Sequence, residues 1–226
     1  CGTVHFCVGA KVTVKRRFVE KLRVKKLFEF HFEQENVDRL MPGAVLEPSY
    51  EDYDVVIITD FGHGFINATR ILEIKRRSTF LAVNAQTNSS NYGYNLITKY
   101  PDVDLVVIDE PEARLACHDR DSPIEDVIHK LGRKRAIVTL GYKGAIGIDD
   151  GVVHTAPPCR CDVVDTMGAG DAFLVIASIF AHAGVGMSDL LRLGNAAGAI
   201  KTGIVGHRGH ITKNALVALL SDVSVT

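Results

Sequence analysis

The feature that most constrains the fold is a short apolar run that recurs along the chain and stops each time at polar or turn-forming residues. Tyr53 to Thr59, built on Val55-Val56-Ile57-Ile58, reads as a strand with no polar face, as expected of a parallel strand covered on both sides. It ends in Asp60-Phe61-Gly62-His63-Gly64 and passes into a helical pattern from Ile66 to Arg77. Thr79 to Asn84, Leu105 to Ile108 and Arg135 to Leu140 read as further strands of the same kind. The alternation predicts a three-layer α/β fold, a mostly parallel sheet with helices on both faces. In open sheets of this type functional residues gather beyond the C-terminal ends of the strands.

Two segments depart from that pattern. Gly144 to Asp149 and Val152 to Pro157 read as a hairpin across Asp150-Gly151, a dipeptide suited to a turn with positive φ at both central residues. Lys11 to Glu20 and Lys26 to Glu33 read as a separate strand pair. In the second, Phe28, Phe30 and Phe32 alternate with Glu29, His31 and Glu33, the period of a sheet with one apolar face. Lys15 and Arg17 share a face of the first, either to meet an anionic ligand or as a solvated edge that discourages aggregation.

With 226 residues, 46% of them hydrophobic, there is material for one well-filled core. A net charge of -1 gives no electrostatic case for nucleic acid or an anionic membrane. No apolar run approaches a membrane span, and the first ten residues lack a signal-peptide pattern. The five cysteines are scattered, which fits reduced thiols and a cytoplasmic setting.

The chemistry concentrates in Asp165-Thr166-Met167-Gly168-Ala169-Gly170-Asp171, which opens into a helical pattern from Ala172 to Ala183. Glycines let backbone approach a bound group closely, and unpaired N–H groups at a helix start favour an anion such as phosphate. Asp171 is the oddity, because a carboxylate repels phosphate. It serves either as a helix-start acid or as the base that takes a proton from a hydroxyl attacking a phosphoryl group.

That heptad resembles the C-terminal signature of the PfkB, or ribokinase-like, sugar kinases, Asp-Thr-x-Gly-Ala-Gly-Asp. The rest of the chain from about Val12 is similar to the same family, and most of all to its heptose-phosphate kinase branch, often fused to or partnered with a cytidylyltransferase. The resemblance implies that Asp171 is the catalytic base, that Gly168, Ala169 and Gly170 form an anion hole, and that ATP and Mg²⁺ are the cofactors; the need for a monovalent cation stays open. Asp109-Glu110-Pro111-Glu112 resembles the family's Asn-x-x-Glu, implying Glu112 and Asp109 near the metal, although acids around Pro111 are also an ordinary helix start. Thr139-Leu140-Gly141-Tyr142-Lys143-Gly144 resembles the family's Thr-x-Gly-x-x-Gly, implying nucleotide contacts by Thr139, Gly141 and Gly144. Asn195, in the helical pattern from Leu190 to Thr202, is the matching candidate beside the adenine, together with the loop from Gly203 to Gly209.

On the acceptor side, Asp60 sits in a segment resembling the Asp-[Tyr/Phe]-Gly-Lys-Gly of heptose kinases, with His63 in place of lysine. It would touch the sugar or a water on the metal, or cap its own glycine turn. Arg17 would reach a sugar phosphate if the early strands are the family's small β-lid, whose exposed strands would also suit a homodimer. The loop from Asn84 to Asn91 replaces an Asp-Pro pair with uncharged hydrogen-bonding residues. Such a loop recognises hydroxyls or forms a surface excursion. The opening shows no counterpart of the family's Gly- and Asp-containing sugar region, so residues 1–226 read as a kinase domain lacking its N-terminal part, or as a sequence from which disordered parts are omitted.

The expected activity is transfer of the γ-phosphoryl of ATP to a hydroxyl of a sugar or sugar phosphate, a heptose phosphate among them. The alternatives are a non-catalytic nucleotide- or sugar-binding module, or the kinase half of a bifunctional kinase/cytidylyltransferase. His207-Arg208-Gly209-His210 matches a cytidylyltransferase tetrad but precedes only a terminal helix, Thr212 to Leu220. Cys159-Arg160-Cys161 has the wrong spacing for zinc, and no P-loop motif occurs.

Overall fold

The computed structural model describes residues 14–20, 25–32, 49–88, 91–206 and 208–223. Strands β1 (Val14–Glu20) and β2 (Lys25–Phe32) pair antiparallel as a two-stranded sheet of their own, irregular between Phe18 and Val19. Residues 11–13 and 33, expected in these strands, lie outside the described residues. The aromatic alternation of β2 brings Phe28 and Phe30 into contact with Phe18 of β1, ring centroids 4.6 Å and 5.9 Å apart.

The second sheet has the predicted parallel part. Strands β3 (Val56–Asp60), β4 (Leu81–Ala85), β5 (Leu105–Asp109) and β6 (Arg135–Thr139) run parallel in that order. Antiparallel β7 (Ala145–Asp149) and β8 (Val152–Ala156) continue it at the β6 edge. Their turn residues Asp150 and Gly151 both have positive φ, 46° and 84°, the geometry a two-residue hairpin favours.

Helices α1 (Ala68–Arg77), α2 (Glu110–Ala116) and α3 (Ile124–Lys130) cover one face of this sheet, while α4 (Ala169–His182) and α5 (Met187–Thr202) cover the other. Strand periodicity divides the core between them. Val106 and Ile108 of β5 pack with Ile71, Ala113 and Ile128, whereas Leu105 and Val107 pack with Phe173, Leu174 and Leu190. Helix α6 (Lys213–Val223) follows, with the Thr212 hydroxyl accepting a bond from the Ala215 N–H at 3.2 Å.

Several boundaries differ from the sequence reading, and caps explain them. Helix α1 starts at Ala68 rather than Ile66 because the Asn67 side chain accepts the Arg70 N–H at 3.0 Å. Strand β3 starts at Val56 rather than Tyr53, and residues Tyr50–Asp52 ahead of it form a 3₁₀ turn. Helix α4 starts at Ala169, three residues before the expected Ala172, so the glycine stretch is the first turn of the helix itself. Gly168 caps it in the left-handed region at φ 79°.

Candidate active site

The signature is built around that left-handed cap. Gly168 turns the chain into α4, and a Cβ there would come within 3.2 Å of Lys201 Cε on α5 as well as straining the backbone. Ala169 and Gly170 follow as the first helical residues, with the Ala169 N–H making a 3.3 Å turn bond to Thr166 O. Asp171 is then the third residue of α4, solvent-exposed, its Oδ1 accepting from Gln86 Nε2 at 3.3 Å. Gln86 is the first residue beyond β4, and its N–H is tied to Asp60 O at 2.8 Å. The sequence reading singled out the loop but not this residue. Its position just past the C-terminal end of a parallel strand is the signal that would have found it.

A cleft of about 700 Å³ adjoins this turn. It gathers Thr139, Gly141, Gly144 and Asn195 with Ala169 and Gly170, six of the expected site residues from three separate stretches. Each is placed by local structure. Gly141 (φ 61°) and Gly144 (φ 95°) bound a 3₁₀ turn after β6, and a Cβ on Gly144 would lie 2.1 Å from Ala156 O. Asn195 on α5 donates its amide to Pro157 O at 2.8 Å and Ala156 O at 3.3 Å, pinning the helix to the end of β8. Tyr142, Arg160 and Phe173 also line the cleft, none of them among the expected site residues. Phe173 packs against Gly194, where a Cβ would come within 2.4 Å of its ring.

Asp109 and Glu112 form the capping box that starts α2. Glu112 N–H donates to Asp109 Oδ1 at 2.8 Å, and Asp109 N–H donates to Glu112 Oε2 at 3.0 Å. The second Glu112 oxygen accepts the Thr87 N–H at 3.0 Å, which binds the loop after β4 to the end of β5. Burial of Glu112, reinforced by the negative charge of Asp109 and more weakly of Asp171, pushes its carboxyl from 4.5 up to about 7. Asp109 has an exposed surface, yet the protein around it desolvates its carboxyl enough to push it up as well.

This oxygen-rich corner suits a hard divalent cation. Asn84 Oδ1 and Thr87 Oγ1 are buried without a hydrogen-bond partner, on the β4 end and loop that Glu112 holds. Among the described residues no three His, Cys, Asp or Glu side chains form a metal cluster. Mg²⁺ does not require one, since it keeps several waters and takes one or two carboxylates alongside phosphate oxygens.

Asp60, expected on the acceptor side, does not line the cleft. It is buried, and its carboxylate accepts the Gly62 N–H at 2.9 Å and the Tyr100 hydroxyl at 2.7 Å while pairing with Lys99. The structure thus gives it the turn-capping role, and sequence could not show that Lys99 and Tyr100 would converge on it. Desolvation and the bond to Asp60 push the Tyr100 hydroxyl above its ordinary range, so it donates. Arg17 falls within β1 opposite Glu29; its side chain lies outside the described ones.

Known proteins share this fold. Ribokinase from Arabidopsis thaliana, solved with ribose and ATP, superposes with a TM-score of 0.61 at 21% identity, covering 76% of this chain and 57% of that one. Phosphofructokinase-2 from Escherichia coli, solved with potassium, gives 0.63 at 17% identity, covering 75% and 57%. These likenesses establish a ribokinase-type fold. In sequence, the bifunctional protein HldE of Halorhodospira halophila is 26% identical over 214 residues, 89% of this chain and 43% of that protein. The chain therefore spans less than half of that relative. The pattern of the pfkB family carbohydrate kinase runs through residues 68–213, from the first residue of α1 to the first of α6 and across every part of the cleft. With more than half of its length so matched, the chain belongs to the pfkB family of carbohydrate kinases.

Proposed function

We propose that the chain carries the nucleotide site and catalytic base of an ATP-dependent kinase acting on a hydroxyl of a sugar or sugar phosphate. The observation that carries this reading is the exposed carboxylate of Asp171 on the first turn of α4, one residue past the glycine that lines the cleft. Thr139, Gly141, Gly144 and Asn195 would hold ATP along the cleft, with its terminal phosphate at the start of α4. The acceptor hydroxyl would lie between Asp171 and Gln86. Its oxygen bonds to the γ-phosphorus, the bond to the β,γ-bridging oxygen breaks, and ADP leaves with that electron pair. The hydroxyl proton passes to Asp171. In a loose transition state that transfer demands only a modest base. N–H groups at Gly168 and Gly170, and at Ala169 in exchange for its turn bond to Thr166 O, would meet the developing negative charge. Mg²⁺, held near Glu112 and Asp109, would neutralise phosphate charge.

A heptose phosphate is the proposed acceptor among sugar phosphates, supported by the relative HldE and by the likeness of Asp60 to Gly64 to that branch. HldE is described as bifunctional, which favours a second reading of this chain as the kinase half of such a protein; an assay for nucleotidyl transfer by the complete protein tests it. For the primary reading, Asp171→Asn should lower turnover by at least about a hundredfold while leaving ATP affinity within about twofold. Near-normal turnover in that variant would remove the assignment. ATP binding without ADP formation by the unsubstituted protein would instead identify a binding module.

A further inference from the structure

Lys201 is a buried lysine at the end of α5, and its ammonium faces backbone rather than solvent. It donates to Met167 O at 2.8 Å and to Gly206 O at 2.9 Å. The same two residues give their N–H groups to the buried carboxylate of Asp165, Met167 at 3.0 Å and Gly206 at 2.8 Å. One acid and one base thus clamp the signature turn to the loop after α5, each gripping the same pair of residues from its own polarity.

We infer that Lys201 is a positioning residue whose ammonium is a built-in monovalent cation, making an added potassium ion unnecessary for the anion-binding turn. A peptide unit is planar and trans, so its C=O and N–H point in opposite directions. Fixing Met167 C=O toward Lys201 therefore aims the Gly168 N–H the other way, as the first donor of the proposed anion hole. Carbonyl oxygens beside a carboxylate are also what a potassium ion would seek in such a turn, and a potassium ion drawn to these carbonyls would have to displace the ammonium. The catalytic consequence rests on the kinase reading; the effect on the fold does not.

Melting and turnover in potassium chloride and in tetramethylammonium chloride, at equal ionic strength, test this on the wild type and on Lys201→Met. Turnover is read as ADP formed from ATP with a panel of sugars and sugar phosphates. Wild type should melt and turn over alike in both salts. In tetramethylammonium, Lys201→Met should melt lower and lose about tenfold or more in kcat, with the KM for ATP within about twofold. Potassium or ammonium ions should restore both properties to the variant, which a purely packing role would not allow. A potassium-specific gain in wild-type melting or turnover overturns the inference, as does a variant that loses nothing or is not restored. If Lys201→Met does not fold, the wild-type comparison alone decides. A wild type inactive in every salt ends the kinase reading, and the melting comparison still tests the built-in cation.

Discussion

Glu112 shows how one residue links folding to cofactor chemistry. Its carboxyl titrates near 7 in the folded chain against 4.5 ordinarily, chiefly because it is buried. Between those values the folded chain holds a proton that the unfolded chain has released. Stability from this group is therefore complete below about pH 4.5 and falls as pH rises through about 7, by up to about 3 kcal/mol. A divalent cation beside the carboxylate favours its ionised form. Melting temperature should thus fall between about pH 5 and about pH 8, and millimolar Mg²⁺ should restore more of it at the upper end. Glu112→Gln should flatten the pH slope and lower stability at the acid end, because the amide nitrogen cannot accept the N–H that one oxygen now accepts from Thr87 or Asp109. A slope unchanged in the variant would mean that another group titrates. Asp109 and Glu112 were readable as a helix start because the capping pattern is local. Lys201 was not, since a lysine in a last helical turn ordinarily faces water and only the packed fold buries it.

At the scale of elements, the site depends on how closely α5 approaches α4. Gly194 on α5 faces the Phe173 ring of α4 with no room for a side chain. Gly→Ala inside a helix ordinarily gains about 1 kcal/mol from propensity. Here the added methyl would sit 2.4 Å from the ring, so overpacking, which costs about 1–3 kcal/mol, opposes that gain. We expect Gly194→Ala to lose stability in urea unfolding and to weaken ATP binding, since Phe173 also lines the cleft. Combining it with Phe173→Leu should recover part of the stability; a more stable single variant would show that the helices yield freely. The parallel strands were legible because each is apolar on both faces. The start of α4 was misplaced by three residues because a left-handed glycine cap looks, in sequence, like one more loop residue.

Across the whole molecule, the parallel strands end on one edge, and that edge carries nearly everything proposed to act. Asp60, Gln86, Asp109 and Thr139 stand at or just beyond the ends of β3, β4, β5 and β6. This much was legible, because a right-handed β-α-β crossover returns each strand in the same direction. What sequence could not give was which of those residues look inward, as Asp60 does toward Tyr100, and which meet across the sheet, as Gln86 and Asp171 do. Such pairings depend on side chains distant in sequence, the last two standing 85 positions apart. The cleft also joins α4 and α5 to the turn after β6, so filling it should stabilise the folded chain as a unit. ATP with Mg²⁺ at about 100 times its Kd should add about 2.7 kcal/mol. For a chain of this size that raises the melting temperature by about 5–10 °C. Asp171→Asn should show the same rise, because the carboxylate is assigned to the acceptor's proton rather than to the nucleotide. A rise in the wild type alone would place Asp171 in nucleotide binding, and no rise in either would remove ATP from the cleft.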